Sequence, residues 1–150
     1  MNRRLFVRLG IASAASSIFI PQMVIGMSAN KDKISQTLKT INSPNMAGGM
    51  YYTKDSPGRW EKKSGSHSPI LSKTDSVITV LTAHPMKDGD HWIIKHVLLD
   101  SNFKFIEEHI FNPAKDKAAK SEFKLTNQKD VVYALSVCNK HDTWVNVIEV

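Results

Sequence analysis

An antiparallel β-sandwich is the fold this sequence of 150 residues predicts. Three observations lead there. From Pro69 onward the chain divides into seven short runs rich in Val, Ile, Phe and Tyr, each bounded by turn residues. No segment in that region carries a long helical period. The clearest alternation has a period of two, with Phe123 and Leu125 on one face of their run and Val131, Tyr133, Leu135 and Val137 on one face of theirs.

Residues 1–29 read as an export signal. Arg3, Arg4 and Arg8 precede a weakly apolar run from Leu9 to about Gly26, and the first acid is Asp32, which is the order of a basic n-region and an apolar h-region. Ser13, Ser16, Ser17, Pro21 and Gln22 interrupt the run, so it makes a poor membrane span, which needs ~20 largely apolar residues. The stretch "NRRLFVR" resembles the twin-arginine signal. That resemblance implies export of an already folded chain to the periplasm, with cleavage between Gly26 and Asn30. An ordinary secretory signal or an uncleaved anchor is the alternative.

Residues 30–66 form an N-terminal extension and loop. "DKISQTLKTI" suits a short helix with Ile34, Leu38 and Ile41 on one face, and "NSPNMAGGMYYTKDSPGRWEKKSGS" is loop chemistry, with Pro, Gly, Asn and Ser throughout. Residues 67–150 hold the sandwich. Its expected strands are "PILSK", "SVITVLTAH", "HWIIKHVLL", "FKFIEEHIF", "SEFKLT", "DVVYALSV" and "TWVNVIEV", and "NPAKDKAAKSE" is expected to add a helical turn within a connection.

Charge and cysteine content exclude whole classes. The formal net charge is +6 and falls to +3 without the signal, because three of the 20 basic residues leave and no acid does. The remaining lysines are scattered, so no nucleic-acid partner is expected. Roughly 120 residues make one domain with a modest core. A single cysteine, Cys138, rules out a disulfide framework and any four-cysteine zinc or iron site.

The histidines carry the chemistry. His84 closes one expected strand and His91 opens the next, so the turn between them brings both imidazoles to one end of a sheet. Cys138 and His141 flank the turn between the last two strands, and His67 stands just before the first. Five donors at strand ends suit a preorganised metal site. His96 and His109 read as ordinary core or surface residues. One thiolate with several imidazoles excludes calcium and magnesium. A structural zinc is satisfied by four ligands. Copper remains open, with Met86 as a weak axial ligand. Five nitrogen and sulfur donors leave one open position on an octahedral iron.

"HSPIL", "HPMKDGDHWI" and "CNKHDTW" resemble the superoxide reductases, also called neelaredoxins and, with an extra domain, desulfoferrodoxins. The family pattern runs H-x-P, then H-P-x5-H-x-I, then C-N-x-H-G-x-W, and the likeness covers residues 67 to 150. It implies an immunoglobulin-like seven-stranded sandwich carrying one non-haem iron, with His67, His84, His91 and His141 as equatorial ligands and Cys138 as the axial thiolate. It also implies one-electron reduction of superoxide to hydrogen peroxide, with an unidentified one-electron donor as partner. A homo-oligomer is compatible with the sequence. Two departures stand out. Asp142 occupies a position usually held by glycine. Gly65 and Ser66 stand where the family has a glutamate–lysine pair, while Glu61, Lys62 and Lys63 lie earlier. Lys62 or Lys63 is expected to supply the cation that attracts the anion if the intervening "SGS" folds back. The competing reading is a metal-binding, immunoglobulin-like electron-transfer or accessory module without superoxide turnover.

Overall fold

Strand-period burial builds two sheets. In the computed structural model, which describes residues 22–87 and 89–150 with side chains from residue 31, β1 (Ile70–Thr74), β2 (Val77–Thr82) and β5 (Ala119–Lys124) form a three-stranded sheet in the order β1-β2-β5. A four-stranded sheet runs β4 (Phe105–Ile110), β3 (Ile93–Leu99), β6 (Val131–Cys138), β7 (Thr143–Glu149). Every pairing is antiparallel, and the two layers make the immunoglobulin-like sandwich. The twin-arginine motif and most of the export segment lie outside the described residues. No helix among the described residues is long and apolar enough to cross a membrane.

Period two decides which side chains meet between the layers. Ile78 and Val80 of β2 and Phe123 of β5 face Leu98 of β3 and Val132 and Ala134 of β6, with Leu125 closing the cluster. Each such large apolar side chain contributes about 1.5–3 kcal/mol by leaving water. The alternate residues of β6, Val131 and Tyr133, are buried on the other face beneath Ile34 and Ile41, where Val145 and Val147 join them. That cover comes from helix α1 (Gln22–Ile41) and from Tyr51 beyond it. Strand β6 is therefore buried on both faces, which explains its nearly unbroken apolar run.

The stretch from Asn42 to Ser66 is more ordered than its loop-like composition suggests. Tyr52 donates its N–H to the Thr143 carbonyl (2.9 Å) and accepts from the Val145 N–H (2.8 Å), and its ring lies 5.6 Å from that of the fully buried Trp144. Gly58, at φ 47°, lies so close to Gly48 that an added Cβ would fall 2.2 Å from the Gly48 carbonyl oxygen. From there a 3-10 helix (Gly58–Lys63) runs into the single-turn helix α2 (Ser64–His67). Local propensity gives no signal for these turns; tertiary contacts impose them, as the buried His67 shows. Within "NPAKDKAAKSE" a single hydrogen-bonded turn forms, the Lys115 and Asp116 N–H groups both reaching the Asn112 carbonyl (2.9 and 2.7 Å). Asn112 also accepts the Ala114 N–H through its side chain (3.0 Å), while its own N–H goes to Asp116 Oδ2 (2.6 Å), and Ala119 and Lys120 join β5. These side-chain contacts support the turn.

One buried polar chain crosses the interior. Ser121 Oγ lies 2.8 Å from His96 Nδ1, His96 Nε2 lies 2.9 Å from Thr82 Oγ1, and Thr82 donates to Ser136 Oγ at 2.8 Å. Since the Thr82 proton goes to Ser136, His96 donates from Nε2 and accepts the Ser121 hydroxyl at Nδ1. All four residues are buried, two from each sheet. Satisfied in this way, they fix the relative register of the layers.

Candidate metal centre

The strands end so that five donor side chains converge. His67 is the last residue of α2, leading into β1, and His84 follows β2 by two residues. Both come from the three-stranded side. His91 precedes β3, Cys138 ends β6, and His141 lies in the turn to β7, all on the four-stranded side. The backbone N–H of Cys138 donates to the Asp142 carbonyl (2.9 Å), which closes that turn. Lys87 and His91 bridge across the other turn, which returns the chain from His84. One donor atom from each of His67, His84, His91, Cys138 and His141 lies within 4.8 Å of all the others.

The donor atoms have a definite arrangement. His67 Nε2 is 2.9 Å from His141 Nδ1, His141 Nδ1 is 2.9 Å from His91 Nε2, and His91 Nε2 is 3.1 Å from His84 Nε2. Three successive spacings near 3 Å are those of nitrogens about 2.1 Å from a shared centre, the length of an imidazole–metal bond. Cys138 Sγ stands 3.2 Å from His91 Nε2 and 3.6 Å from His141 Nδ1.

These nitrogens cannot satisfy one another. His67 Nδ1–H donates to the Lys63 carbonyl (3.1 Å) and His84 Nδ1–H to the Pro85 carbonyl (2.6 Å), so each presents a bare Nε2 to the centre. A proton on His91 Nε2 cannot serve His84, His141 and Cys138 at once. Protonation is no remedy. Burial, followed by the neighbouring His84 and His141, pushes His67 down to about 3, and burial followed by His91 pushes His84 down to about 4. Burial likewise lowers His91 and His141. Burial raises the Cys138 thiol, against the opposing N–H groups of Lys140 and His141. Four neutral imidazoles and a thiol thus aim lone pairs at one point. The residues fit a transition-metal cation, which would also drive the thiol to thiolate.

The surroundings hold this set rigid. Asn139 accepts the Trp92 N–H (3.1 Å) and donates to the Asp90 carbonyl (2.9 Å), while Lys140 pairs with the Asp90 carboxylate, so the turn carrying Cys138 and His141 is tied to the loop carrying His91. Trp144 Nε1–H donates to the His141 carbonyl at 2.9 Å. Met86 packs with Ile93, Phe111 and Ala119 against Cys138, lining the thiol with apolar atoms. Lys63 is half-buried, and its charge reaches His84, His91, Cys138 and His141; Lys62 beside it is exposed, as is Glu61. His96 belongs to the buried polar chain and His109 is exposed. Sequence reasoning missed Trp60, whose ring meets that of His141 edge-on at 4.6 Å, and Arg59, which pairs with Asp142 at 2.5 Å. Their separation of more than 80 residues from His141 left no local signal.

A family model described as desulfoferrodoxin matches residues 59–147. Among solved structures, the chain is similar to a superoxide reductase (neelaredoxin) from Ignicoccus hospitalis, with 22% identity over 69% of this chain and 95% of that one, at a TM-score of 0.56. A variant of the same protein gives 24% identity, 69% and 94% coverage and a TM-score of 0.60. A superoxide reductase from Giardia intestinalis shares 17% identity over 57% of this chain and 98% of that one, with a TM-score of 0.51. At these identities the likeness is one of fold. No curated protein matches the sequence.

Proposed function

The chain belongs to the desulfoferrodoxin family, and from that premise we propose that it is an exported non-haem iron superoxide reductase. The observation that carries the reading is the convergence of His67, His84, His91, Cys138 and His141. These five would hold the iron. When bound, it would supply a one-electron redox couple: one electron and two protons convert superoxide to hydrogen peroxide, and an external one-electron donor restores the reduced state.

The chain's own residues supply the rest. Cys138 contributes thiolate electron density, which tunes the potential, and its apolar lining keeps water from the sulfur. The carbonyls of Lys63 and Pro85 hold His67 and His84 in the tautomer that leaves Nε2 free. Lys63 offers a positive charge near the centre and raises the local concentration of the anion. Water is the proton source. Purified full-length protein is expected to hold about one iron per chain and, once reduced, to react with superoxide at a second-order rate near the diffusional range. Tetrahedral zinc with unchanged function would sink this reading.

A second reading, electron transfer without superoxide turnover, is favoured by Gly65 and Ser66 in front of His67 and by the exposure of Glu61. The same reduced-protein reaction separates the two.

Lys63→Ala is expected to slow the superoxide step by roughly tenfold at low salt with iron content unchanged, while Lys62→Ala does less. The gap should narrow as salt rises, because the screening length is ~10 Å at 0.1 M. Stopped-flow or pulse-generated superoxide measures both. For export, changing Arg3 and Arg4 together to lysine is expected to trap a folded, signal-bearing precursor in the cytoplasm. Fractionation reads it, and unimpeded export would point to the general secretory route.

A further inference from the structure

Asp142 is an unusual residue for its place. Its φ is 60°, a left-handed conformation that favours glycine. Its carboxylate Oδ2 accepts from Arg59 Nη2 at 2.5 Å and from Trp60 Nε1 at 2.8 Å. Arg59 in turn lies over the Trp60 ring, 5.0 Å from its centre, and the Trp60 ring meets His141 edge-on. Three contacts thus join the 3-10 helix to the turn that carries His141. The helix is also held at its first residue by the close approach of Gly58 to Gly48, and by a side-chain contact of Arg59 with Tyr52. At its end the Lys63 carbonyl accepts from the buried His67 ring at 3.1 Å. Lys63 lies between Trp60 and His67, and no buried apolar side chain holds the helix down.

We propose that Asp142 is a positioning residue, a latch whose carboxylate grips Arg59 and Trp60 and thereby holds the Gly58–Lys63 helix, with Lys63, against the His141 side of the centre. The backbone strain of a left-handed aspartate is kept because glycine could not make the grip. The catalytic consequence rests on the superoxide reading above, whereas the latch itself does not.

The test uses the full-length chain in two forms. In the metal-free form, trypsin can cut after Arg59, Lys62 and Lys63, and mass spectrometry times cleavage there against other sites. Asp142→Gly removes the grip and relieves the strain, so cleavage after Lys62 and Lys63 is expected to speed up by about tenfold or more while other sites keep wild-type rates. Arg59→Ala breaks the charged arm without touching the left-handed position and should accelerate the same two cuts. Asp142→Asn keeps an acceptor for Trp60 and should fall between. In the iron-loaded form, Asp142→Gly is expected to slow the superoxide step as Lys63→Ala does, with the same salt dependence and unchanged iron content. Wild-type cleavage rates in both Asp142→Gly and Arg59→Ala would overturn the latch. Faster cleavage with an unchanged superoxide rate would overturn the positioning of Lys63. If wild-type iron-loaded protein ignores superoxide altogether, the functional reading fails, and the cleavage series still decides the latch.

Discussion

Cys138→Ser is expected to abolish the thiolate-to-iron charge-transfer colour of the loaded protein and to cut its reaction with superoxide by ~100-fold or more, beyond the loss typical of outer-shell changes. A serine hydroxyl stays protonated where a thiol yields its proton to a metal, so the substitution removes both a charge and a soft donor. Outside the donor set, the sulfur meets the backbone N–H groups of Lys140 (3.5 Å) and His141 and the apolar packing of Met86, Ile93, Phe111 and Ala119, all of which a hydroxyl can accept. The metal-free variant should therefore fold normally, which separates a lost ligand from a lost structure. Visible absorption, iron content and the circular dichroism of the stripped protein make the check. A variant that keeps wild-type iron and spectrum would remove Cys138 from the centre.

The second large effect is a loss of stability in acid that originates outside the five donors, in the buried polar chain. His96 is fully buried, and burial, with a smaller push from His109, lowers its pKa to about 3. In the unfolded chain it titrates near 6.5. Between those values the unfolded state carries a proton that the native state refuses, so unfolding becomes easier as pH falls. Its contribution is complete above about pH 6.5. It erodes by ~1.4 kcal/mol per pH unit below that, to a total on the order of 5 kcal/mol near pH 3. His67 and His84 act in the same direction in the metal-free chain. The comparison that isolates His96 is metal-free wild type against His96→Gln, which retains a polar side chain but cannot titrate. Denaturant unfolding at pH 7, 6 and 5 should give the variant a slope smaller by about 1.4 kcal/mol per unit. Equal slopes would show that His96 is not held neutral.

Much of this architecture is legible in the amino acids. All seven strands lie where β-rich runs bounded by turn residues mark them, with period-two alternation adding to the signal in β5 and β6, because both signals are local. The five donors were legible for a related reason: each sits at a strand end, and His84 with His91, or Cys138 with His141, is joined by a short turn. Three things were not. The cover over Val131 and Tyr133 comes from α1 and Tyr51, and nothing in β6 says which of its two apolar faces meets which partner. The turns from Gly58 to His67 depend on contacts with Asp142 and His141, far along the chain, against a local composition that reads as loop. The inner role of His96 depends on hydroxyls from three other strands, Ser121, Thr82 and Ser136, which appear in sequence as isolated polar interruptions.

The division of the donors between layers has a further consequence. His67 and His84 lie next to strands of one sheet, and His91, Cys138 and His141 in or next to strands of the other. Immunoglobulin domains of antibodies rivet their two layers with a disulfide. This chain has no second cysteine for that purpose. Any cation gripped by all five donors is a rivet that can be withdrawn, and its grip adds to the folding free energy by about 4 kcal/mol when free metal exceeds its dissociation constant a thousandfold. Cohesion at this end of the sandwich then follows metal supply. A starved cell would carry copies whose layers part more readily there, and proteolysis would clear those copies before the loaded ones.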